Sequence, residues 1–197
     1  NRLGTKHFDI YQFHAVDTVK DLDQIFDKNG AMKAFQEAKN QGLIKHIGVT
    51  AHRDMRVVLE ALERFDFDTV LIPINAGSLI HPAPENDFGP VLKTARDRDI
   101  GVIAIKAIAR GRWTTNSRRY QTWYEPLDEQ EDIDRALWFT LSQEGVATCP
   151  LACDVTLWPK IINAAERFRE LDEHEQKQTT EHLRSRGVKP LFPKGVP

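Results

Sequence analysis

The sequence has few cysteines, no long apolar run and no excess of one charge. Its two cysteines, Cys149 and Cys153, share one apolar stretch, which does not indicate a disulfide framework and favours a reducing compartment such as the cytoplasm. No run approaches the roughly 18 apolar residues of a membrane span, so we expect no membrane partner. Lysine and arginine number 27 against 29 aspartate and glutamate, which provides no general attraction for nucleic acid.

Glycine-rich phosphate loops are also missing. Neither the G-x-G-x-x-G pattern of dinucleotide-binding folds nor the P-loop pattern occurs. The two cysteines have no partner pair, so an iron–sulfur or zinc-knuckle site has no support.

What is present indicates an α/β fold in one domain over residues 1–197. Hydrophobic residues make up 41% and charged residues 28% of the chain, as in globular proteins. Short apolar segments alternate with longer amphipathic ones, which predicts parallel strands joined by helices. The predicted strands are Phe8–His14, Ile44–Thr50, Thr69–Asn75, Gly101–Ala107 and Val146–Ala152. The predicted helices are Gly30–Gln41, Arg53–Arg64, Pro90–Asp99, Gln130–Gln143, Thr156–Leu171 and Glu173–Arg186.

Two architectures fit these units. They form either a complete flavodoxin-like sheet or the last five units of an eight-unit (β/α)8 TIM-barrel-type fold. Leu3, Gly4 and Thr5 precede the first strand and resemble the end of a helix with a glycine cap. Because a chain that opens on a helix end favours a partial barrel, we predict the last five βα units, matched over residues 1–168, plus a C-terminal helix and tail over residues 172–197.

Two long connections follow predicted strands. The first, Ile108–Asp132, contains four arginines and four aromatic residues, and the second covers residues 76–87. Loops this long in compact domains are usually lids or binding loops, although an ordinary surface loop is the alternative. The arginines and aromatics are Arg110, Arg112, Arg118, Arg119, Trp113, Tyr120, Trp123 and Tyr124.

Four polar side chains lie at the ends of consecutive predicted strands. Alternation places Tyr11 and Phe13 toward the helices and His14 toward the barrel mouth, and Thr50 and Asn75 end the next two strands. On the fourth strand, alternation aligns Val102, Ala104 and Lys106. A lysine in an apolar strand is costly unless a carboxylate or an anionic ligand compensates it. We expect a shared pocket, while His14 as a core histidine and Asn75 as a turn cap stay open.

A metal site is the competing interpretation of the histidines. His14 and His52 end adjacent strands and His81 follows the third, an arrangement that can hold zinc in hydrolases. Against a metal, no second histidine accompanies His14 at the i+2 position and no carboxylate ends a strand. We therefore assign no metal ligands.

In chain order, these segments resemble the aldo/keto reductase family from its fourth strand onward. Individually the motifs are moderate, but five in order are specific. They are LGTKHFDIYQFH at 3–14, GLIKHIGVT at 42–50, IPIN at 72–75, GVIAIK at 101–106 with Arg110 and Gly111, and a weaker match at 150–163.

The resemblance implies a (β/α)8 barrel that binds NADP(H) and reduces a small-molecule aldehyde or ketone. His14 falls on the family's carbonyl-orienting histidine. Thr50 and Asn75 fall on residues near the nicotinamide carboxamide, and Ile105 on a position that stacks against the nicotinamide. The remaining residues implied to bind cofactor are Lys106, Arg110 and Gly111 at the pyrophosphate, and Asn163 in the last matched segment.

The departures from the family pattern limit this expectation. The family's catalytic Asp, Tyr and Lys lie on three strand units that this sequence does not contain, so we predict little turnover from these residues alone. Cys153 and Asp154 stand near the place where a basic residue often meets the 2′-phosphate, which leaves NAD possible beside NADP. The alternatives are a non-catalytic cofactor-binding or regulatory module and a metal-dependent hydrolase. Open sheet edges at the first and last strands predict self-association.

Overall fold

The computed structural model describes residues 3–192, in which helices cover a parallel β-sheet. The strands are β1 (Phe8–Phe13), β2 (Ile44–Thr50), β3 (Thr69–Pro73), β4 (Gly101–Ile105), β5 (Ala109–Gly111), β6 (Glu125–Pro126) and β7 (Val146–Thr148). The α-helices are α1 (Val19–Phe26), α2 (Ala31–Asn40), α3 (Met55–Arg64), α4 (Ala76–Ile80), α5 (Gly89–Asp97), α6 (Gln130–Leu141), α7 (Trp158–Glu166) and α8 (Glu173–Ser185). Short 3-10 helices cover Pro84–Asn86 and Val155–Leu157. Within the described range, no helix has the length and hydropathy that a membrane crossing requires.

The main sheet has the strand order β1-β2-β3-β4-β7, and each neighbouring pair is parallel. In the central register Gln12 lies beside Gly48, Gly48 beside Thr69, and Thr69 beside Gly101. The predicted α/β class with parallel pairing is therefore confirmed. Because β1 and β7 are the outer strands, their free edges lie where the sequence predicts them.

One face of β1 packs against α2. The ring of Phe13 stacks on that of Phe35 with centroids 3.8 Å apart, and the Tyr11 ring lies 5.1 Å from the same ring. This arrangement follows from strand alternation, which puts the two aromatic residues on the helix side.

The opposite face of the sheet leaves no room for a side chain at Gly48. A Cβ there would lie 2.2 Å from Thr69 Oγ1 and 2.8 Å from Gln12 Cγ. The Gln12 amide donates to Thr69 Oγ1 over this glycine at 3.2 Å. Close packing therefore requires glycine at position 48.

The structure contains a helix that the sequence analysis does not predict. Helix α1 begins at a capping box in which Thr18 accepts from the Asp21 N–H while the Asp21 carboxylate accepts from the Thr18 N–H. It has only eight residues, of which Leu22 is completely buried. The T-x-x-D pattern at residues 18–21 is the signal that identifies it.

Several predicted boundaries are wrong. The stretch Ile108–Asp132 is not all loop, because β5 and β6 pair antiparallel within it and Tyr124 is buried. The second connection contains α4. The predicted helix Thr156–Leu171 consists of a 3-10 turn and α7, which ends at Glu166. Before β1, Gly4 has a left-handed φ of 64°, as a helix cap requires. The first two residues and the tail residues 193–197 lie outside the described residues.

Candidate functional site

His14 and Thr50 meet at the carboxyl ends of β1 and β2. The Thr50 hydroxyl lies 3.3 Å from His14 Nδ1 and accepts the Ala15 N–H at 2.8 Å. Ala15 has a left-handed φ of 55°, so the chain turns sharply directly after His14. Thr50 is buried while His14 is exposed. A buried hydroxyl therefore holds an exposed imidazole by one of its two ring nitrogens.

His52 lies beside this pair and is held by Asp17. Its backbone N–H donates to Asp17 Oδ1 at 2.6 Å, and Arg53 Nε lies 3.7 Å from Asp17 Oδ2. The His14 and His52 rings lie 5.6 Å apart, nearly edge to face. Burial, with a further contribution from the Lys106 charge, lowers the pKa of His52 to about 4 despite Asp17. The imidazole is consequently neutral at pH 7.

Lys106 follows β4 directly and points its ammonium group into this cluster. Its Nζ lies 3.4 Å from His52 Nδ1 and 4.6 Å from the centre of the Phe192 ring. Burial lowers the Lys106 pKa to about 8, while the more distant Asp17 charge opposes that shift. No ion pair to Lys106 occurs within residues 3–192. The alternative that a carboxylate pairs with Lys106 directly has no support there.

The predicted alignment of Val102, Ala104 and Lys106 on one face is wrong. Val102 and Ala104 are fully buried, and the register places Ile105 beside Pro73. The strand ends at Ile105, and Lys106 adopts a left-handed φ of 63°. Because this conformation interrupts the alternation of side chains along the strand, the Lys106 side chain does not lie on the same face as Val102 and Ala104. It reaches His52.

Asn75 is buried close to the cluster, at the start of α4. Strand β3 ends at Pro73, so Asn75 occupies the cap position of α4, but its side chain makes no capping hydrogen bond. It lines a cavity of about 10 Å³ with His52 and Phe192. The structure thus places Asn75 against the same C-terminal segment that contacts Lys106.

The other residues implied by the resemblance have neighbours elsewhere. Arg110 in β5 pairs with Glu125 at 3.2 Å, and its carbonyl accepts the Lys189 N–H at 2.7 Å. Gly111 also lies against Lys189. Asn163 is exposed on α7, where its side-chain oxygen accepts from Arg167.

The structure therefore brings together five of the eight predicted site residues. The pair His14–Thr50 and the Lys106 ammonium group both lie next to His52. Asn75 and His52 line the same cavity. Half-buried Ile105 is the last residue of β4, directly before Lys106. The contacts of Arg110, Gly111 and Asn163 lie outside this group.

Sequence reasoning missed Asp17, Phe192 and the central position of His52. Asp17 is three residues beyond His14, close enough in the chain to reach the same strand end. Phe192 gives no sequence signal because it lies 86 positions beyond Lys106 in the chain. His81 lies apart from the cluster, with Nε2 3.3 Å from the Val188 carbonyl. Among residues 3–192, no three histidine, cysteine or carboxylate side chains converge as metal ligands would.

Comparison with known proteins identifies the family. The model of the aldo/keto reductase family matches residues 1–186. The chain belongs to this family. Comparison with curated protein sequences gives no significant match.

Solved structures of the family share the fold at low sequence identity. The holo form of aldo-keto reductase AKR11C1 from Bacillus halodurans superposes with a TM-score of 0.63 at 19% identity, covering 98% of this chain and 65% of that one. An aldo/keto reductase from Brucella melitensis gives 0.57 at 16% identity, covering 91% of this chain and 63% of that one. MGS-M4, an aldo-keto reductase from a Medee basin deep-sea metagenome library, gives a TM-score of 0.57 at 13% identity, covering 99% of this chain and 67% of that one. The chain spans about 65% of the length of the AKR11C1 structure.

Proposed function

We propose that this family member acts in nicotinamide-dependent reduction of an aldehyde or ketone, with its five parallel strands as the last five βα units of a (β/α)8 barrel. The observation that carries the proposal is the cluster of His14, Thr50, His52 and Lys106 at the carboxyl ends of parallel strands, where barrel enzymes place their chemistry. The family match and the shared fold support the same assignment. The two free cysteines fit a cytoplasmic location.

The residues of the cluster fit a nicotinamide dinucleotide. Lys106 is a half-buried cation without an ion pair inside the described range, which suits a phosphate group. Thr50, Asn75 and Ile105 would hold the nicotinamide end, and the cofactor supplies the hydride when bound. We extend the proposed contacts to Arg110, Gly111 and Asn163 from the resemblance alone. NADP is the proposed form, and NAD stays open because Cys153 and Asp154 stand near the position where the family often has a basic residue for the 2′-phosphate.

His14 is suited to orient the substrate carbonyl. The Thr50 hydroxyl accepts the Ala15 N–H, which leaves its own proton to donate to His14 Nδ1. A neutral imidazole that accepts at Nδ1 carries its proton at Nε2. The exposed Nε2–H can then donate to a carbonyl oxygen and stabilise the negative charge that develops there.

The position of the tyrosines favours a second candidate, a cofactor-binding module without catalysis. The chain contains three tyrosines. Tyr11 packs on the helix side of the sheet, Tyr120 donates to Asp128, and Tyr124 is buried beside Cys149. None of them lies beside His14, so this sequence brings no tyrosine proton donor to the cluster. Binding without turnover by the 197-residue chain is the expected behaviour.

Calorimetric titration of the chain with NADPH and NADH tests the proposal. We expect binding that Lys106→Met weakens by at least about tenfold, since it removes the cation facing the phosphate. Lys93→Met is the matched control, because Lys93 is exposed and paired with Asp97 on α5. If neither nucleotide binds the folded chain, or if Lys106→Met binds as well as the wild type, the proposal is wrong. Turnover with a simple aldehyde separates the two candidates.

A further inference from the structure

The backbone and side chain of Lys106 are held in an uncommon arrangement. A left-handed φ of 63° is unfavourable at a residue with a side chain, and the Ala109 N–H stabilises the turn by donating to the Lys106 carbonyl at 3.1 Å. The side chain ends between His52 and the Phe192 ring. The fold therefore fixes an amine at the carboxyl end of a central strand.

The surroundings of this amine disfavour its charge. Among residues 3–192, the carboxylate that acts on it is Asp17, which is already engaged by the His52 N–H and by Arg53. Arg53 opposes a charge on Lys106, and His52 is neutral at pH 7. On the β4–β7 side, Lys106 borders a cavity of about 20 Å³ that is also lined by protonated Cys149. A pKa of about 8 leaves roughly a tenth of the amine neutral at pH 7.

We propose that Lys106 is a nucleophilic amine that condenses with short aldehydes to form an imine. The neutral nitrogen attacks the carbonyl carbon, so that a C–N bond forms while the C=O π pair moves to the oxygen. A proton passes from nitrogen to that oxygen, and loss of water then leaves a C=N bond. The step needs no oxidant, reductant or nicotinamide, and it is therefore separate from the reduction proposed above.

His52 is placed to move the proton in this reaction. Its Nδ1 lies 3.4 Å from Nζ, close enough to accept a proton as the C–N bond forms and to deliver it to the departing hydroxyl. Burial keeps the imidazole neutral at pH 7, which leaves this nitrogen able to accept. An amine with an adjacent base in a buried site is the arrangement that imine chemistry requires.

The space around the amine limits the aldehyde to a few carbon atoms. The cavity that Lys106 lines measures about 20 Å³, and the cavity between His52, Asn75 and Phe192, which Lys106 does not line, measures about 10 Å³. Each holds little more than one water. The Phe192 carbonyl is held by one long hydrogen bond from Asn86 at 3.3 Å. A two- or three-carbon aldehyde can enter when the Phe192 ring turns aside, whereas a bulky aldehyde cannot.

Reductive trapping tests this inference. The full chain is incubated at pH 7 with glycolaldehyde and cyanoborohydride, without nicotinamide cofactor, and the modified lysines are mapped by peptide mass spectrometry. We expect Lys106 to be labelled at least about tenfold faster than Lys93 and Lys45, which are exposed and paired with Asp97 and Asp9. Labelling of Lys106 no faster than these two lysines would overturn the proposal.

The pH dependence of the labelling separates a reactive site from mere exposure. We expect half-maximal labelling of Lys106 near pH 8, and a lower midpoint in Asp17→Asn, because the Asp17 charge favours the ammonium form. Phe192→Ala should label faster and accept larger aldehydes. A Lys106 midpoint near the ordinary lysine value of about 10.4 would contradict the inference. Protection by NADPH tests the cofactor proposal alone, so either proposal can fail without the other.

Discussion

Lys106 Nζ lies 3.4 Å from Nδ1 of His52, and the charge on Lys106 disfavours protonation of His52. The Lys106 charge contributes to holding the His52 pKa at about 4, while burial holds the Lys106 pKa at about 8. Lys106 follows β4 and His52 follows β2, so β3 and its carboxyl end lie between them in the sheet. A pair of nitrogen bases this close stabilises the fold poorly, which is typical of residues retained for chemistry.

The first prediction concerns stability in acid. His52 has a pKa of about 4 in the folded chain and about 6.5 when unfolded, so the unfolded chain binds more protons between these values. Stability should therefore fall as the pH is lowered from 6.5 toward 4. Thermal unfolding across this range should show a smaller loss for His52→Gln than for the wild type. Equal losses would show that His52 titrates normally in the folded chain.

The second prediction concerns the hydroxyl of Thr50. Thr50→Val removes the acceptor of the Ala15 N–H and the partner of His14 Nδ1, and should lower the free energy of unfolding by about 1–3 kcal/mol. Thr50→Ser keeps the hydroxyl and should restore most of the loss. Nitrogen NMR shifts of His14 should report a proton at Nε2 in the wild type and a mixture of tautomers in Thr50→Val. A mixture already present in the wild type would contradict the role given to Thr50.

How far the sequence predicts this molecule depends on the range of the interactions. The bounds of β2 are predicted to the residue because Ile44 and the run from Ile47 to Thr50 are buried, which gives the strand a strong apolar signal at both ends. Helix α1 is missed because it has only eight residues, although Val19, Leu22, Ile25 and Phe26 have helical spacing. Local pattern thus identifies the longer elements and overlooks a helix of two turns.

In the candidate site, too, local patterns predict some residues and long-range contacts determine the others. Strand ends identify His14, Thr50 and Lys106, because parallel strands bring their carboxyl ends to one side. Alternation fails at Lys106, whose left-handed φ follows from the turn to Ala109 and not from the strand pattern. The contact between Lys106 and Phe192 is set by the packing of the C-terminal segment, which no local pattern encodes.

The third prediction concerns the close packing at Gly48. Gly48→Ala would place a Cβ 2.2 Å from Thr69 Oγ1, inside contact distance, and should destabilise the chain by about 1–3 kcal/mol in urea unfolding. Gly101→Ala in β4 is the matched control, since its nearest neighbour would be Thr69 Cγ2 at an ordinary 3.5 Å. A second change, Gln12→Ala, should recover part of the loss in Gly48→Ala by vacating the space beside the new methyl group. Equal stability of the two glycine variants would show that the sheet face is not tightly packed.

The fourth prediction concerns the carboxylate that joins α6 to α8. Asp132 is buried, and its two oxygens accept from His182 Nε2 at 2.7 Å and Arg186 Nε at 2.8 Å. Asp132→Ala should cost about 1–3 kcal/mol, because His182 and Arg186 then lose their acceptor in a partly desolvated contact. Glu131→Ala, on the exposed side of the same turn, should change stability by less than about 0.5 kcal/mol even though it ends the pair with Arg135. Chemical unfolding of both variants decides whether α8 is held by this carboxylate.

The fifth prediction concerns the free edge of β1. Strand β1 pairs only with β2 in the described sheet, and Ile10 on it is 42% exposed, so its outer backbone groups can pair with another chain. Light scattering should show a molecular mass that rises with protein concentration. Ile10→Lys should reduce this association, because a charge on an edge strand opposes pairing, whereas Leu79→Lys in α4, exposed to a similar 48%, should not. A monomer at every concentration, in the wild type and in both variants, would contradict self-association through this edge.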